Sequence, residues 1–181
     1  MSEYVMPTRP PQEGWDLHCH TVFSDGTRTP REMVQEAKSL GLHGVAIADH
    51  DTTAGWEEAG QASHDLHLPL MRGTEITAQD GNVSVHMLAY LYDPRNRHIC
   101  DLFEKTRRSR VERTKKMVAL LAKDYPISWQ SVLEQTKEGS RTTIGRPHIA
   151  DALVAAGVYA NRNEAFADAV STHSKYYIPR P

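Results

Sequence analysis

The amino-acid sequence predicts an α/β fold in its first half and a helical segment in its second. Two observations lead to this prediction. Short apolar strand patterns alternate with helical patterns up to about residue 91, with short connections between them, and no strand pattern follows between Pro94 and Tyr176. Such β-α-β-α order is typical of parallel sheets, because a helix returns the chain to the start of the next strand.

The first strand pattern is GWDLHCH, residues 14–20. A helix is predicted next, because Thr29 occupies the N-cap position, Pro30 the first helical position and Glu32 the third. Thr and Glu at this spacing form a capping box, which satisfies backbone N–H groups at the helix start. Gly41 is predicted to end this helix, since glycine readily adopts the left-handed conformation found there.

The second strand pattern, residues 44–50, is short and apolar, as expected of a strand buried on both faces. A second helix is predicted from Ala54 to Leu66. Two more strand patterns, residues 68–78 and 82–91, are joined by Asp80-Gly81-Asn82. An Asp-Gly pair between strands is a strong hairpin signal, so these two strands are predicted to pair.

The second half is predicted to be helical. A long helix runs from Ile99 to Lys123, Ser128 is placed to cap a second helix, Pro147 to open a third and Asn163 to cap a fourth. The predicted organisation is a flexible N-terminal tail, an α/β barrel half, a helical insert domain and a return toward the barrel. These segments are residues 1–14, 15–94, 95–175 and 176–181.

Composition is ordinary for a globular chain, with one anomaly. The 181 residues are 39% hydrophobic and 24% charged, and a formal net charge of −2 gives no general attraction to nucleic acid or membranes. The 10 His stand out, because imidazole is the commonest metal ligand. Only Cys19 and Cys100 are present, and no apolar run approaches the roughly 20 residues that cross a bilayer. A cytoplasmic protein without a signal peptide, membrane anchor or evident protein partner is predicted.

Histidines and carboxylates stand at or near the ends of successive strands. Those ends meet at one edge of a parallel sheet, where α/β proteins build their sites. Several of these residues also have an ordinary explanation, such as a turn for Asp25 or a satisfied core position for His86, but the joint pattern is more specific than any member. The candidates are His18, His20, Asp25, His50, Glu75 and His86.

Five ordered motifs resemble those of the polymerase and histidinol phosphatase (PHP) superfamily, in its stand-alone TrpH-like phosphoesterase branch. They are DLHCHTVFSDG (16–26), IADHD (47–51), GTEI (73–76), VHMLAY (85–90) and GRPHIADAL (145–153). The resemblance covers about Trp15 to Gly157. It implies an α/β fold of the distorted (β/α)7 PHP barrel type, incomplete in this chain, with a helical insert or cap.

The resemblance also implies two or three divalent metal ions. It assigns His18 and His20 to one ion, which Glu75 bridges to another. Asp25 and His50 would bind the second ion, and the histidine of VHMLAY would share Glu75 at a third. His20, His50 and Glu75 are therefore the implied catalytic residues. Imidazole nitrogen and carboxylate oxygen donors without a thiolate favour Mn, Fe or Zn.

The implied reaction is hydrolysis of a phosphate ester by metal-activated water. The implied substrate is a small nucleotide-type molecule, such as a nucleoside 3′,5′-bisphosphate, a short oligonucleotide or short RNA. Arg146 and His148 are implied to contact substrate phosphate, although Pro147 also makes this stretch an ordinary helix start. The basic stretch from Lys105 to Lys116 is either a solvated helix face or a rim that steers anions toward the site.

Relatives in this branch continue past the insert with more strands, another His and a terminal Asp-x-His pair, whereas this sequence ends at Pro181. The chain is therefore expected either to be a fragment or to receive the missing ligands from another piece. Two alternatives stay open: an amidohydrolase-type C–N hydrolase, which also begins with His-x-His, and a non-catalytic metal-binding or truncated module. Asp25 and Glu75 favour the phosphoesterase over the amidohydrolase.

Overall fold

The computed structural model describes residues 14–81 and 83–179. The predicted tail lies outside the described residues except for Gly14, and Asn82 and residues 180–181 lie outside them too. In the described chain, four strands form a sheet in the order β1-β2-β3-β4. The strands are β1 (Trp15–Cys19), β2 (Gly44–Ile47), β3 (Leu70–Asp80) and β4 (Val83–Tyr90). The helices are α1 (Pro30–Ser39), α2 (Trp56–Leu66), α3 (Arg97–Leu121), α4 (Trp129–Leu133), α5 (Arg146–Ala155) and α6 (Arg162–Ala167), with a 3-10 helix at Gly139–Arg141.

The sheet confirms the predicted α/β class and has the form of a partial barrel. β2 runs parallel to both β1 and β3, with α1 and α2 as the crossover connections, while β3 and β4 are antiparallel. β1 and β4 are the outer strands of the described sheet. Both leave apolar side chains exposed, among them Leu17 on β1 and Met87 on β4.

The start of α1 follows the predicted capping pattern. The Thr29 side chain accepts a hydrogen bond from the Glu32 N–H, and the Glu32 carboxylate accepts one from the Thr29 N–H. Pro30 stands at the first helical position. Gly41 follows the helix with a φ of +77°, the left-handed conformation in which glycine has no steric cost.

One apolar core lies between the sheet and the first two helices. Met33, Val34 and Ala37 lie on one face of α1, a spacing that places them along the same side of the helix. They pack with Trp56 of α2 and with the completely buried strand β2. The Trp56 indole N–H donates to the Gly73 carbonyl at 2.9 Å, which fixes α2 against β3. This core holds the strands whose ends carry the candidate ligands.

The predicted hairpin between β3 and β4 is present. Eight residue pairs run from Gly73 opposite Tyr90 to Asp80 opposite Val83. The turn begins at Gly81, which has a φ of +56°. Because this register is fixed by the turn, Glu75 on β3 and His86 on β4 lie on neighbouring strands two pairs apart, with Thr77 opposite His86.

The second half is helical in the described residues, as predicted, with a core of its own. Ser128 caps α4 as expected, accepting from the Ser131 N–H at 3.1 Å. The expectation that Asn163 caps the last helix is wrong. Asn161 is the cap, because its side chain accepts from the Glu164 N–H at 3.1 Å, and Asn163 lies inside the helix. None of the described helices has the length and apolarity needed to cross a membrane.

Polar contacts join the helical half to the loop that follows β1. The Thr142 hydroxyl donates to the Val22 carbonyl at 3.1 Å, and the Thr143 N–H donates to the Phe23 carbonyl at 2.8 Å. The Lys137 ammonium donates to the carbonyl of residue 27 at 2.8 Å. We refer to these contacts between residues 22–27 and 137–143 as the polar seam. The seam places the helical half beside the loop that carries Asp25.

Candidate metal centre

The structure brings together all six candidate ligands predicted from the sequence. His50 follows β2 and forms an isolated parallel bridge with Glu75 in the middle of β3, so the end of β2 lies beside the middle of β3. His18 lies near the end of β1, and His20 immediately follows that strand. Three overlapping groups have potential ligand atoms within 4.8 Å of one another. They are His18, His20 and Glu75; His20, Asp25 and His50; and His50, Glu75 and His86.

The Glu75 carboxylate is the centre of two of these groups. Its Oε2 atom lies 2.8 Å from His18 Nε2, 3.0 Å from His20 Nε2 and 3.7 Å from His50 Nδ1. Its Oε1 atom contacts His86 Nδ1. Only 7% of the Glu75 side chain is exposed. Four imidazoles, from the ends of β1 and β2 and from the middle of β4, therefore surround one buried carboxylate.

Asp25 forms the remaining group on the other side of His20 and His50. Its two carboxylate oxygens lie 3.5 Å from His20 Nδ1 and 3.5 Å from His50 Nε2. Each of these histidines thus directs one ring nitrogen toward Asp25 and the other toward Glu75. Such an arrangement suits two neighbouring ions that share ligands, as is found in multi-metal hydrolytic centres.

The donor atoms fit divalent ions. The Nδ1 atom of His50 is buried and lacks a hydrogen-bond partner among the described residues, which is costly for a polar atom unless an ion occupies the space beside it. Nitrogen and carboxylate oxygen donors suit transition-metal ions such as Mn, Fe or Zn. Metal binding requires neutral imidazoles and ionised carboxylates.

Burial favours the neutral form of His20, and the neighbouring histidines favour the ionised forms of Asp25 and Glu75. Burial lowers the pKa of His20, and the charge of His50 lowers it further, which outweighs the raising effect of Asp25 and Glu75. Burial raises the pKa of Asp25, but the hydrogen bond and charge of His50, with the charge of His20, hold it well below its ordinary range. The Glu75 pKa is likewise lowered, because His18, His50 and His20 outweigh the effect of burial.

The buried Asp49 carboxylate holds the loop between β1 and α1, which carries Asp25, by accepting hydrogen bonds from that loop. Its Oδ1 atom accepts from the Thr21 N–H at 2.7 Å and from the Ser24 hydroxyl at 2.5 Å, and Oδ2 accepts from the Thr21 hydroxyl at 2.6 Å. Ser24 Oγ lies 3.4 Å from His20 Nδ1. Asp49 can therefore influence the orientation of His20 through Ser24, without a direct contact.

A cleft of about 200 Å³ opens beside the histidine cluster. Its walls come from both halves of the chain, and three arginines of the helical half face the predicted ligands. The lining residues are Asp25, His50, His86, Arg110, Arg113, Thr114, Gly145, Arg146, Pro147 and Phe166. A negatively charged molecule in this cleft would lie between the metal ligands and the guanidinium groups.

The arginines are held in different ways. Arg110 pairs with buried Asp51 at 3.1 Å. Arg146 donates to the Val170 carbonyl at 3.2 Å and stacks on Phe166 with 5.5 Å from its Cζ to the ring centroid. The pKa of Arg113 is lowered by burial and by the neighbouring Arg146 and Arg110 charges, although Tyr177 opposes this. Concentrating like charges is unfavourable unless an anion binds among them.

Sequence reasoning did not single out Arg110 and Arg113 from the surrounding basic stretch. The signal was present, because residues three apart lie on the same face of a helix. Both project from α3 into the cleft, whereas Arg108 pairs with Glu104 on the exposed surface. Which basic residues of α3 face the site depends on how the helix packs, and this cannot be read from charge alone.

His148 does not line this cleft. It is 4% exposed, its Nδ1 accepts from the Gly145 N–H at 3.1 Å, and it borders a separate small pocket with Ser24 and Arg162. Burial lowers its pKa. The structure therefore brings Arg146 to the candidate metal centre, while the predicted contact of His148 with phosphate stays a prediction.

A larger cavity, about 1000 Å³, extends along α3 and α4. None of the six candidate ligands lines it. Two of the basic side chains that line it are paired with acids, Lys115 with Glu112 at 3.0 Å and Arg108 with Glu104, and Arg107 donates to the Ser140 carbonyl at 2.7 Å. Its size therefore does not make it the stronger candidate for binding an anion, and the chemistry points to the smaller cleft.

Comparison with known proteins decides the family. The PHP domain model matches residues 16–177. The chain belongs to the PHP domain family. The match includes all six candidate ligands and extends through the helical half, so the PHP domain comprises both sides of the cleft.

Named relatives act on nucleic acids or nucleotides. A 5′-3′ exoribonuclease of Haemophilus influenzae is 29% identical over 152 residues, covering 84% of this PHP chain and 54% of the relative. A 3′,5′-nucleoside bisphosphate phosphatase of Chromobacterium violaceum is 33% identical over 106 residues, covering 59% and 37% of the two chains. A crystal structure from Bifidobacterium adolescentis, named as a candidate metal-dependent phosphoesterase, is 68% identical, with a TM-score of 0.92 over 96% of this chain and 60% of that one. The chain thus spans roughly half the length of these relatives.

Proposed function

We propose that this PHP domain is part of a metal-dependent phosphoesterase that acts on a nucleotide-type substrate. This proposal rests on the small cleft beside the histidines. Overlapping groups of His and carboxylate side chains form one of its walls, and three arginines form the other. The proposed substrate is a nucleoside 3′,5′-bisphosphate or a short oligonucleotide or RNA. The names of the Haemophilus and Chromobacterium relatives support this substrate class.

The six candidate ligands would hold two or three divalent ions, with Mn, Fe or Zn the expected metals. When bound, such ions neutralise phosphoryl oxygens and lower the pKa of a water molecule. Glu75, His20 and His50 are the proposed catalytic residues, because each belongs to two of the three overlapping groups. Removing any of them would therefore disturb more than one ion.

The arginines would bind and orient the substrate. A guanidinium group presents paired donors that match the oxygens of a phosphate, and it stays charged throughout the working pH range. Arg146 is held from two sides by the Val170 carbonyl and the Phe166 ring, so its orientation is restricted before substrate arrives. Arg110 is fixed by Asp51 and Thr77 in the same way. Preorganised donors bind an anion with a smaller loss of side-chain entropy.

Metal titration and product analysis test this proposal. Metal-depleted chain is titrated with Mn²⁺ or Zn²⁺ and assayed for phosphate release from adenosine 3′,5′-bisphosphate and a short RNA, and for ammonia release from amides. Glu75→Gln should weaken metal binding by more than the ~10–100-fold typical of losing a residue that only supports a ligand. Glu57→Gln, an exposed glutamate on α2, is the matched control.

The outcomes separate the competing functions. Phosphate release that needs metal and is lost in Glu75→Gln supports the phosphoesterase. Ammonia release would support a C–N hydrolase, and metal binding without any turnover would indicate a non-catalytic or incomplete module. Native affinity for metal in Glu75→Gln would contradict the assignment of the centre itself. The cytoplasmic location stays a prediction.

A further inference from the structure

Arg162, at the start of α6, links the helical half to the backbone of Asp25. Its Nε and Nη2 atoms donate to the two carboxylate oxygens of Asp151 at 2.7 and 2.6 Å. Its Nη1 atom donates to the main-chain carbonyl of Asp25 at 2.9 Å. The bidentate pair with Asp151 fixes the plane of the guanidinium group, so the third donor has a defined direction. Arg162 and Asp151 are about two-thirds buried, at 31% and 29% side-chain exposure.

The Asp25 carbonyl belongs to a tight loop that cannot move independently of the centre. The Thr21 carbonyl accepts from both the Ser24 and the Gly26 N–H groups at 3.0 Å. A Cβ atom at Gly26 would lie 2.2 Å from the His20 carbonyl oxygen, so the loop packs directly on the His20 backbone. A shift of the Asp25 carbonyl would therefore displace the Asp25 carboxylate, which lies 3.5 Å from His20 and His50.

We infer that Arg162, oriented by Asp151, is a positioning residue that sets the Asp25 carboxylate for a cation shared with His20 and His50. The inference rests on the proposed metal-dependent function. It makes the helical half a structural component of the metal centre, beyond its contribution to the substrate cleft. It also predicts selectivity, because only one of the three overlapping groups contains Asp25.

A different result is expected if the contacts of Arg162 only hold the two halves of the chain together. Loss of such contacts would reduce the free energy of unfolding and leave the affinity for each ion in the folded chain unchanged. Positioning predicts instead that one class of bound ion is weakened, while ions held by the Glu75 groups retain their affinity. The two explanations therefore differ in a quantity measured on folded protein.

The experiment measures Mn²⁺ affinities and stoichiometry by isothermal titration of the full 181-residue chain, with electron paramagnetic resonance to count free ion. Arg162→Gln and Asp151→Asn are compared with Arg31→Gln, which breaks an exposed Arg–Asp pair with 48% and 38% side-chain exposure. Arg162→Gln should weaken one class of ion about 10–100-fold, as expected for residues that orient a ligand. Asp151→Asn should weaken the same class, and Arg31→Gln should change no class more than two-fold.

A combined variant makes the test specific. Asp25→Asn should weaken the same class of ion, and adding Arg162→Gln to it should cause little further loss, because both act through one carboxylate. If Arg162→Gln folds poorly, Arg162→Lys and Asp151→Asn provide the same comparison. Native affinities in these variants, or equal weakening of every class, would overturn the inference. If the chain without substitutions binds no metal, the proposed function fails together with this inference. That result differs from native metal affinity in the variants, which would overturn the inference alone.

Discussion

Replacing Asp51 by Asn tests whether a buried ion pair fixes an arginine of the cleft. Asp51 is completely buried and has a φ of +50°. Its carboxylate accepts from the Thr77 N–H at 2.8 Å, from the Thr77 hydroxyl at 2.7 Å and from Arg110 Nη1 at 3.1 Å. Asn tolerates the left-handed conformation and has nearly the same shape, so the substitution removes the charge without straining the backbone.

The expected loss of stability follows from the burial of both partners. The Arg110 side chain is 13% exposed, and removing one member of a buried pair costs ~3–5 kcal/mol because the other charge is left uncompensated. Arg110 keeps its hydrogen bond to the Thr77 hydroxyl at 2.9 Å, which places the expected cost near the lower end of that range. We expect a loss of about 3 kcal/mol in the free energy of unfolding.

Urea unfolding of a double-mutant cycle measures this interaction. The cycle comprises Asp51→Asn, Arg110→Met and the combined variant. The coupling energy should be at least about 2 kcal/mol, since each substitution alone leaves its partner unpaired. Asp65→Asn, which breaks an exposed pair with Arg31, should shift the urea midpoint much less than Asp51→Asn does, because solvent screens that pair. A coupling below ~0.5 kcal/mol would refute the reasoning, because it would show that the two side chains act independently.

Three further predictions follow from other contacts. Thr29→Ala should destabilise the chain by ~1 kcal/mol in urea unfolding, because it removes the cap of α1, and an unchanged midpoint would contradict this. Burial raises the pKa of Tyr92 to about 12 despite its hydrogen bond to Thr74, so the unfolded chain ionises first as pH rises above ~10. The free energy of unfolding should therefore fall as the pH rises from ~10 to about 12. The Tyr92→Phe variant should lack this contribution, which urea midpoints measured across that pH range would show. Arg146→Ala should weaken the binding of inorganic phosphate to the metal-loaded chain about ten-fold, or ~1.4 kcal/mol, as measured by calorimetry. A native affinity for phosphate would show that Arg146 does not belong to the anion site of the cleft.

The convergence of the six predicted ligands could be anticipated because their positions follow from local patterns. β2 and the first part of β3 are recognisable as apolar runs, and β1 as a short alternating pattern. Their parallel arrangement brings the histidines at the ends of β1 and β2 to Glu75 in β3. His86 required one more step, the hairpin register set by the turn at Gly81. Sequence therefore predicts which residues lie together, whereas their service as metal ligands stays a prediction.

Contacts between distant segments could not be anticipated in the same way. Arg162 lies 137 positions from Asp25, and no periodicity relates the two. Local alternatives can also compete, as at the last helix, where Asn161 and Asn163 are both suitable caps. Asn161 wins because Glu164 then occupies the third helical position and its carboxylate accepts from the Ala160 N–H and the Asn161 amide.

The separation of the two apolar clusters has a consequence for motion. They share no residue, and hydrogen bonds of the polar seam connect the elements around them. Water can replace such bonds at a lower free-energy cost than it can separate packed apolar side chains. Amide hydrogen exchange at Thr143 should therefore report partial opening before exchange at Ile47, deep in the sheet, reports global unfolding. An opening of the polar seam would also loosen the segment that carries Asp25, which would offer a route for ions to reach and leave the candidate metal centre.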